Sequence, residues 1–391
     1  MTLKPTFADI LNVADARRAA ARRLPRGLFE YVDRGSEDEI SITTNRSQLD
    51  AIRLSPAVLV DVSGRSTEAE ILGHRQPLPL VIAPTAVAGL VWYDGEIAIA
   101  KAAAAAGIPF CVSTQSITAI ERIAAESGAR LWFQLYVWKN RQRMLALLDR
   151  AWAAGAETLV LTVDTAVGPN REYNLRNGFG IPLKTSWRAG LDVALHPRWT
   201  ASVMLRALAT GGVPTYAHYP DAFRTKLGRA SLSDEVSLAT DVTWTDVELL
   251  RRHWRGKLVL KGVLRVEDAQ LALAHGVDAI VVSNHGARNL DCAPGPTQVL
   301  PAIADAAAGR LEILADSGVR RGADIARFLA LGASGVLVGR APLYGVAIGG
   351  AAGAGRILDI LANELRITMG MLGAPTLADL RVLPNGNSRA V

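Results

Sequence analysis

Eight short apolar segments, separated by alanine-rich segments, limit most strongly how this 391-residue chain can fold. The apolar segments predict strands at Leu78–Pro84, Ile108–Ser113, Leu131–Tyr136, Thr158–Asp164, Lys257–Lys261, Asp278–Ser283, Leu311–Asp316 and Gly335–Gly339. The spacing between them predicts amphipathic helices, such as Glu96–Ala106, Ile117–Ser127, Arg141–Ala154, Val266–Ala274 and Ala323–Leu331. Strands that alternate with helices form a parallel sheet, and eight such units can close into a (β/α)₈ TIM barrel with its chemistry at the carboxyl ends of the strands.

Two segments fall outside this alternation. The start of the chain predicts helices joined by turns, including a basic helix over Asp15–Leu24 that ends at Pro25. About ninety residues separate Asp164 from Lys257, where one helix would connect two strands. We therefore expect a single domain over residues 1–391, with the barrel at about 78–350 and an excursion at about 180–245 that covers the barrel mouth.

Charge and cysteine content narrow the class of protein further. The formal net charge is +6, without a run of five or more basic residues, which favours anionic small-molecule substrates and gives no sign of a nucleic-acid-binding module. The two cysteines, Cys111 and Cys292, lack the spacing of metal ligands, so no metal site is predicted. Sparse cysteine also fits a reducing compartment, and a cytoplasmic protein is expected.

Polar side chains follow nearly all of the predicted strands. The sixth strand leads into Ser283-Asn284-His285-Gly286-Ala287-Arg288, where the histidine can move a proton while the arginine holds an anion. The fifth ends at Lys261, whose buried charge is costly unless an anionic group meets it. A single polar residue in such a place commonly caps the next helix. Repetition over eight strand ends favours one shared site.

The last two strand ends have a more specific pattern. Gly318 precedes Arg320 after the seventh strand, and Gly339 precedes Arg340 after the eighth. Barrels commonly bind phosphate with the loops after strands seven and eight, where glycine permits close backbone approach. Surface salt bridges are the alternative role for the two arginines. A phosphate-bearing cofactor accounts for both glycines and both arginines together.

These motifs resemble the FMN-dependent 2-hydroxy acid oxidases and dehydrogenases, a family that includes glycolate oxidase, lactate dehydrogenase and mandelate dehydrogenase. The resemblance extends from about Phe7 to Leu372 and rests on Ser-Asn-His-Gly-x-Arg at 283–288, Gln-Leu-Tyr at 134–136, Thr-Val-Asp-Thr at 162–165 and Lys-Gly at 261–262. It implies FMN at the carboxyl face of the barrel and oxidation of an (S)-2-hydroxy acid to the 2-oxo acid. Another FMN- or phosphate-binding barrel, such as an isomerase, is the alternative.

The resemblance also implies the residues that hold the cofactor. The flavin would lie against Pro84, Thr85 and Ala86 and hydrogen-bond with Ser113, Gln134 and Thr162, with Ser283 as a further contact. Lys261 would face the N1/C2 carbonyl side, where positive charge stabilises the reduced flavin. The ribityl chain and the phosphate would contact Asp316, Gly318, Arg320, Gly339 and Arg340.

For the substrate, the resemblance implies that His285 is the base and that Asp164 pairs with it. The substrate carboxylate would bind Arg171 and Arg288, whose planar guanidinium groups suit it. Tyr31 and Tyr136 would donate hydrogen bonds to the carboxylate or to the reacting oxygen of the substrate. A hydride route and a carbanion route use the same residues, and the sequence does not decide between them.

Several positions depart from the family pattern. Ala287 and Asn289 stand where Gly and Gln are common, and Gly168-Pro169-Asn170-Arg171 replaces a more basic run. Asp316-Ser317-Gly318 resembles the mandelate dehydrogenase branch. Gln115 stands where some short-chain oxidases carry an aromatic residue, so it is a further candidate substrate contact. The expected substrate is mandelate-like before lactate-sized.

The resemblance also implies, in general terms, where the protein is located and whether it forms oligomers. Some dehydrogenases of this family associate with membranes through the excursion after strand four, and Val193–Tyr219 contains no acidic residue. A peripheral position on the inner face of the membrane is therefore one expectation. A lid packed on its own barrel or on a neighbouring subunit is the other. The resemblance further implies a homo-oligomer, a tetramer.

Overall fold

Eight parallel strands form a closed barrel in the computed structural model, which describes residues 7–179, 187–220 and 234–382. In chain order, the barrel strands are Leu80–Ile82, Phe110–Ser113, Leu131–Leu135, Ala156–Thr162, Lys257–Val263, Ala279–Val282, Glu312–Ala315 and Gly335–Val338. The eighth strand pairs with the first, with Val336 opposite Leu80, and this pairing closes the barrel. The predicted (β/α)₈ fold is confirmed, because each predicted strand overlaps an observed one.

Helices surround the barrel and precede it. The helices that follow the strands are Ala88–Val91, Gly95–Ala105, Ile120–Ser127, Arg141–Ala153, Trp244–His253, Val266–Ala274, Pro296–Ala307, Gly322–Ala330 and Arg340–Leu372. The predicted N-terminal helical segment contains Val13–Arg23, Arg26–Asp33 and Ile40–Ala51, followed by a short hairpin of Ala69–Ile71 and His74–Gln76. The sequence pattern located Val266–Ala274 at its observed bounds.

The alternation of side chains along the strands explains why the site is polar. The barrel interior is filled by a buried cluster that includes Val81, Cys111, Trp132, Val160, Val259, Val281, Leu314 and Leu337. Side chains two residues apart on a strand point to the same side of the sheet. The next inward positions are therefore Ala83, Ser113, Gln134, Thr162, Lys261, Ser283, Asp316 and Gly339. Apolar packing fills the middle of the barrel, and polar groups are left at its carboxyl end.

The last helix, Arg340–Leu372, is apolar and long enough to cross a membrane by length and composition alone. Most of its apolar stretch is buried inside the fold, where it packs against Val13–Arg23 and Gly95–Ala105. Its backbone departs from helical geometry at Gly349 and Gly350. The helix therefore has the character of a bent core helix.

The long connection after the fourth strand packs on its own barrel over residues 187–220. It contains the helices Glu172–Asn177, Trp187–Ala194, Pro197–Trp199 and Arg206–Thr210, with a π-helical stretch at Thr200–Leu205. The Trp199 indole donates to the carbonyl oxygen of Leu90 at 2.8 Å, and the Tyr93 hydroxyl lies 3.0 Å from that of Thr210. Residues 180–186 and 221–233 of the predicted excursion lie outside the described residues.

Candidate active site

A cavity of about 700 Å³ lies at the carboxyl ends of the barrel strands. All but two of the predicted site residues line it, including Arg171 in the run that departs from the family pattern. The two exceptions, Asp164 and Ser283, lie behind the lining residues. Ser283 is fully buried, and its hydroxyl accepts hydrogen bonds from Lys261 Nζ at 2.9 Å and from the His285 backbone N–H at 3.0 Å. Ser283 therefore supports two lining residues.

Three neighbouring strands form a hydrogen-bonded floor. The buried Gln134 side chain donates from Nε2 to Thr162 Oγ1 at 3.0 Å. Its Oε1 accepts from Ser113 Oγ at 3.2 Å and from the Thr114 backbone N–H at 3.2 Å. These bonds fix the direction of the Gln134 amide, so the floor presents an ordered set of polar groups to a ligand.

Lys261 places a positive charge under the cavity. Its side chain is nearly inaccessible, with Nζ 3.1 Å from Asp316 Oδ2. Burial alone would lower the pKa of Lys261, but the carboxylates of Asp316 and Asp164 outweigh this effect and raise the pKa above its usual value. The ammonium group therefore stays protonated at neutral pH, which suits a ligand that gains negative charge.

His285 and Asp164 form a partly buried acid–base pair. His285 Nδ1 donates to Asp164 Oδ1 at 2.8 Å, which leaves Nε2 as the basic nitrogen. Burial lowers the pKa of His285 below its usual value, and Asp164 offsets only part of this effect. Burial would raise the pKa of Asp164, but the charges of His285 and Lys261 lower it overall. At neutral pH the pair therefore consists of a neutral imidazole and a carboxylate.

Gly262 makes room for this pair. Its φ is +110°, and an added Cβ would lie 2.6 Å from Asp164 Cβ. Both features exclude other residues, because a φ in this region strains L-amino acids and the contact is far inside van der Waals distance. The Lys-Gly sequence at the end of the fifth strand thus has two effects. Lys261 provides the positive charge, and Gly262 leaves the space that the Asp164 side chain occupies.

We expect Gly262→Ala to lower the free energy of unfolding by at least about 2 kcal/mol and to reduce turnover, since Asp164 must move. Thermal unfolding and steady-state kinetics measure the two effects. Gly128→Ala is the matched control, because Gly128 has φ +65° but no atom within 4 Å of the added Cβ. It should cost only about 1 kcal/mol. Equal behaviour of the two variants would contradict the proposed contact.

Two arginines line the cavity, and one side of each guanidinium group is held by hydrogen bonds to backbone carbonyl oxygens. Arg288 Nη1 donates to the carbonyl oxygens of Tyr31 at 2.7 Å and Arg34 at 3.1 Å. Arg171 Nε donates to the carbonyl oxygen of Arg288 at 3.0 Å. Burial and the nearby charge of Arg288 lower the pKa of Arg171. Two cations held together in this way are suited to binding one anion.

The loops after the seventh and eighth strands also line the cavity. Gly318 has φ +92°, and an added Cβ would come within 3.0 Å of Leu49 Cδ1. Arg340 Nη2 donates to the carbonyl oxygen of Gly286 at 2.8 Å. Arg171, Arg288, Arg320 and Arg340 all line the cavity, and no carboxylate of the described residues lies within ion-pair distance of any of them. The cavity therefore offers the unpaired positive charge of four arginines.

Comparison with known proteins identifies the chemistry. Residues 20–383 match the family model described as FMN-dependent dehydrogenase. The chain belongs to the FMN-dependent dehydrogenase family. It is 40% identical to the (S)-mandelate dehydrogenase of Pseudomonas putida, over 95% of this chain and 93% of the relative. It is 41% identical to an L-lactate dehydrogenase of Caulobacter vibrioides, over 95% of this chain and 96% of the relative.

A solved structure agrees with this assignment. The crystal structure of the monotopic membrane protein (S)-mandelate dehydrogenase is 39% identical and has a TM-score of 0.88, covering 95% of this chain and 97% of that one. The chain is thus an FMN-dependent oxidoreductase that acts on the CH–OH group of 2-hydroxy acids. The expected cofactor and activity are confirmed, and the alternative of an isomerase is set aside.

The residues of this FMN-dependent dehydrogenase fit the cofactor. The floor of Ser113, Gln134 and Thr162 would supply donors and acceptors to a flavin ring, and Lys261 would supply positive charge to it. Gly318 and Arg320 also line the cavity and have the small size and the charge that a phosphate would need.

The sequence reasoning missed two contributors to the site. Tyr216 comes from the long connection after the fourth strand and lines the cavity, although no strand end marks it. Asn289 was noted only as a departure from the family pattern. Its Nδ2 donates to the Asp164 carbonyl oxygen at 2.8 Å and to Thr165 Oγ1 at 2.9 Å, and its Oδ1 lies 3.4 Å from Arg171 Nη2. Asn289 thus connects the acid–base pair to the arginines.

Proposed function

We propose that this enzyme oxidises (S)-2-hydroxy acids that carry an aryl side chain, and that it prefers mandelate to lactate. The observation that carries the proposal is the cavity wall of Tyr31, Tyr136, Tyr216 and Leu238. Aromatic and apolar side chains pack well against an aryl ring, whereas the methyl group of lactate would leave much of this wall uncovered. Relatives named for mandelate and for lactate are about equally similar, so the wall is the argument that separates them.

In the proposed reaction, His285 Nε2 accepts the proton that leaves the substrate, whether from the 2-hydroxyl group or from C2. Asp164 stabilises the imidazolium that results and keeps the ring oriented through the 2.8 Å hydrogen bond. Arg171 and Arg288 bind the carboxylate with their open guanidinium edges. Burial and Asp164 raise the pKa of Tyr136 to about 12, so its hydroxyl remains a hydrogen-bond donor to the substrate.

The chemistry that FMN would supply, when bound, is that of a two-electron acceptor for the oxidation of the substrate. We propose that Pro84, Thr85 and Ala86 line its ring, that Ser113, Gln134 and Thr162 hydrogen-bond to it, and that Lys261 stabilises the negative charge it gains. Asp316, Gly318, Arg320, Gly339 and Arg340 would hold the ribityl chain and the phosphate. We propose that Ser283 also orients Lys261 and His285 through its hydrogen bonds, and its expected contact with the flavin stays a prediction.

The test is an anaerobic visible spectrum of the FMN-loaded protein, recorded before and after adding (S)-mandelate, (S)-lactate or glycolate. We expect the flavin absorbance to bleach fastest with mandelate. Bleaching by glycolate in preference to both other acids would contradict the proposed substrate class. A flavin that none of the acids bleaches would contradict the proposed roles of the site residues.

We also propose that the enzyme associates peripherally with the cytoplasmic face of a membrane through residues 187–210. Its support is a set of exposed apolar side chains, Trp187 (75% exposed), Leu191 (53%), Leu195 (69%) and Leu205 (53%). Arg206 lies among them, stacked over the Tyr93 ring at 4.1 Å. Apolar side chains beside basic ones favour an interfacial position. The similar (S)-mandelate dehydrogenase is described as a monotopic membrane protein.

Trp187→Ser combined with Leu195→Ser should reduce co-sedimentation with anionic liposomes about tenfold or more, because two anchoring side chains are lost. Flavin reduction by mandelate should persist, which provides the control for folding. Failure of the unmodified protein to bind liposomes at low salt would contradict the proposal. The expected tetramer stays a prediction, for which light scattering of the detergent-solubilised holoenzyme is the measurement.

A further inference from the structure

Three tyrosine hydroxyl groups open onto the cavity. Tyr31, Tyr136 and Tyr216 all line it, and none of the three hydroxyls has a hydrogen-bond partner among the described residues. The proposed reaction uses Tyr31 and Tyr136 for the carboxylate and the reacting oxygen. Tyr216 has no role in that reaction, although its side chain is only 5% exposed. Because the rest of the side chain is buried, the hydroxyl can bond only to water or to a ligand in the cavity.

The surroundings of Tyr216 differ from those of Tyr136. Burial raises the pKa of Tyr216, and the groups that add to this effect are the hydroxyls of Tyr31, Tyr219 and Tyr136. In contrast, the pKa of Tyr136 also responds to Asp164, Lys261 and Arg171. Tyr216 also belongs to a segment that is hydrogen-bonded to the end of the second barrel strand, and this strand lies across the barrel from the sixth strand, which leads into His285 and Arg288. The Tyr216 hydroxyl is therefore expected to face the part of a substrate that is remote from the carboxylate.

The position of Tyr216 is fixed by its chain neighbours. His218 is fully buried, and its Nε2 accepts from the Ile120 backbone N–H at 3.1 Å. Its Nδ1 donates to the Ser113 carbonyl oxygen at 3.0 Å. Burial lowers the pKa of His218 to about 4, so the ring is neutral and keeps both bonds at physiological pH. The Ala217 N–H also donates to the carbonyl oxygen of Ser116 at 3.0 Å. Tyr216 is thereby tied to the second barrel strand, which supplies the cavity floor.

Tyr219 is the neighbouring tyrosine of the same segment. Its ring lies 5.2 Å from that of Tyr216, in a tilted arrangement, and its side chain is fully buried. Tyr219 does not line the cavity. Of these two adjacent tyrosines, only Tyr216 faces the cavity.

We propose that Tyr216 is a specificity-determining residue that hydrogen-bonds a polar substituent on the substrate side chain. The preferred substrates are then aryl 2-hydroxy acids with a ring hydroxyl group. The inference rests on the proposed function and names its substrate class more closely. An unsubstituted ring would displace water from Tyr216 and leave its hydroxyl unpaired, which costs about 1–3 kcal/mol. A ring hydroxyl would replace the water and avoid this penalty.

The experiment compares kcat/KM of the FMN-loaded enzyme for (S)-mandelate, its 3-hydroxy and 4-hydroxy derivatives, and (S)-lactate. The unmodified enzyme should prefer one hydroxylated ring to the plain ring by roughly 10- to 100-fold. Tyr216→Phe should reduce this ratio to near one, mainly through KM, and should lower kcat/KM for lactate much less than for the hydroxylated ring. Tyr219→Phe is the matched control and should keep the ratio.

Two results would overturn the inference. An equal loss for all four acids in Tyr216→Phe would place this hydroxyl on the carboxylate or the reacting oxygen. An unchanged ratio would show that the hydroxyl does not contact the ring substituent. Both results require that mandelate reduces the flavin, so they are distinguishable from failure of the proposed function, in which no acid reduces it.

Discussion

His285→Asn should slow flavin reduction by (S)-mandelate by roughly 10²- to 10⁴-fold while FMN remains bound. The loss is expected because Asn cannot accept a proton in place of the imidazole. Asn is the suitable replacement, since position 285 has φ +58° and Asn tolerates the left-handed region better than most residues. Anaerobic stopped-flow absorbance measures the rate, and the oxidised spectrum reports FMN content. A rate within tenfold of the unmodified enzyme would show that another group is the base.

The same residue predicts the pH dependence. A base must be neutral, and burial lowers the pKa of His285 below the usual value of 6.5. The kcat/KM for mandelate should therefore be level around neutral pH and fall only as the pH drops through this lowered pKa. Asp164→Asn removes the carboxylate that partly restores the pKa, so the acid limb should move to still lower pH. A limb that lies above pH 7 would contradict the assignment.

Lys261→Met should cause the largest combined loss of cofactor and stability. Its removal leaves Asp316 nearly buried without the cation that lies 3.1 Å away, and breaking a buried pair costs about 3–5 kcal/mol. We expect a lower unfolding temperature, weaker FMN binding and a lower flavin reduction potential. For a two-electron couple, each 1.4 kcal/mol of lost stabilisation corresponds to about 30 mV.

A double variant separates the two roles of Lys261. Lys261→Met with Asp316→Asn removes both charges, so most of the stability should return, because no carboxylate is left unpaired. The reduction potential should stay low, since the positive charge beside the flavin is still missing. Recovery of the potential in the double variant would show that Lys261 acts on the fold and not on the cofactor.

The parts of the fold that the sequence predicts well depend on local periodicity. Alternation along each strand places Gln134 and Thr162 on the same side as the buried Trp132 and Val160, so both the barrel and its polar floor follow from spacing. The predicted ends of several strands differ from the observed ends by one or two residues. The fourth strand ends at Thr162, which leaves Asp164 in the loop that can reach His285.

Contacts between segments that are distant in the chain could not be predicted from local periodicity. Tyr216 reaches the cavity only because His218 bonds to a strand about one hundred residues earlier in the chain. Asn289 connects Asp164 to Arg171, and this connection depends on the length of the Asn289 side chain and on the position of Arg171. The family resemblance implies that Ser283 contacts the flavin, whereas its hydrogen bond to Lys261 follows only from its neighbours in space.

The unpaired arginines around the cavity affect the stability of the polypeptide before it binds its cofactor. Their mutual repulsion opposes folding of the empty chain, and it is relieved when anionic ligands bind. Ligand at a hundredfold excess over its dissociation constant stabilises the folded state by about 2.7 kcal/mol. The abundance of this enzyme in a cell should therefore follow the supply of riboflavin, because chains made during flavin shortage are the ones exposed to proteolysis.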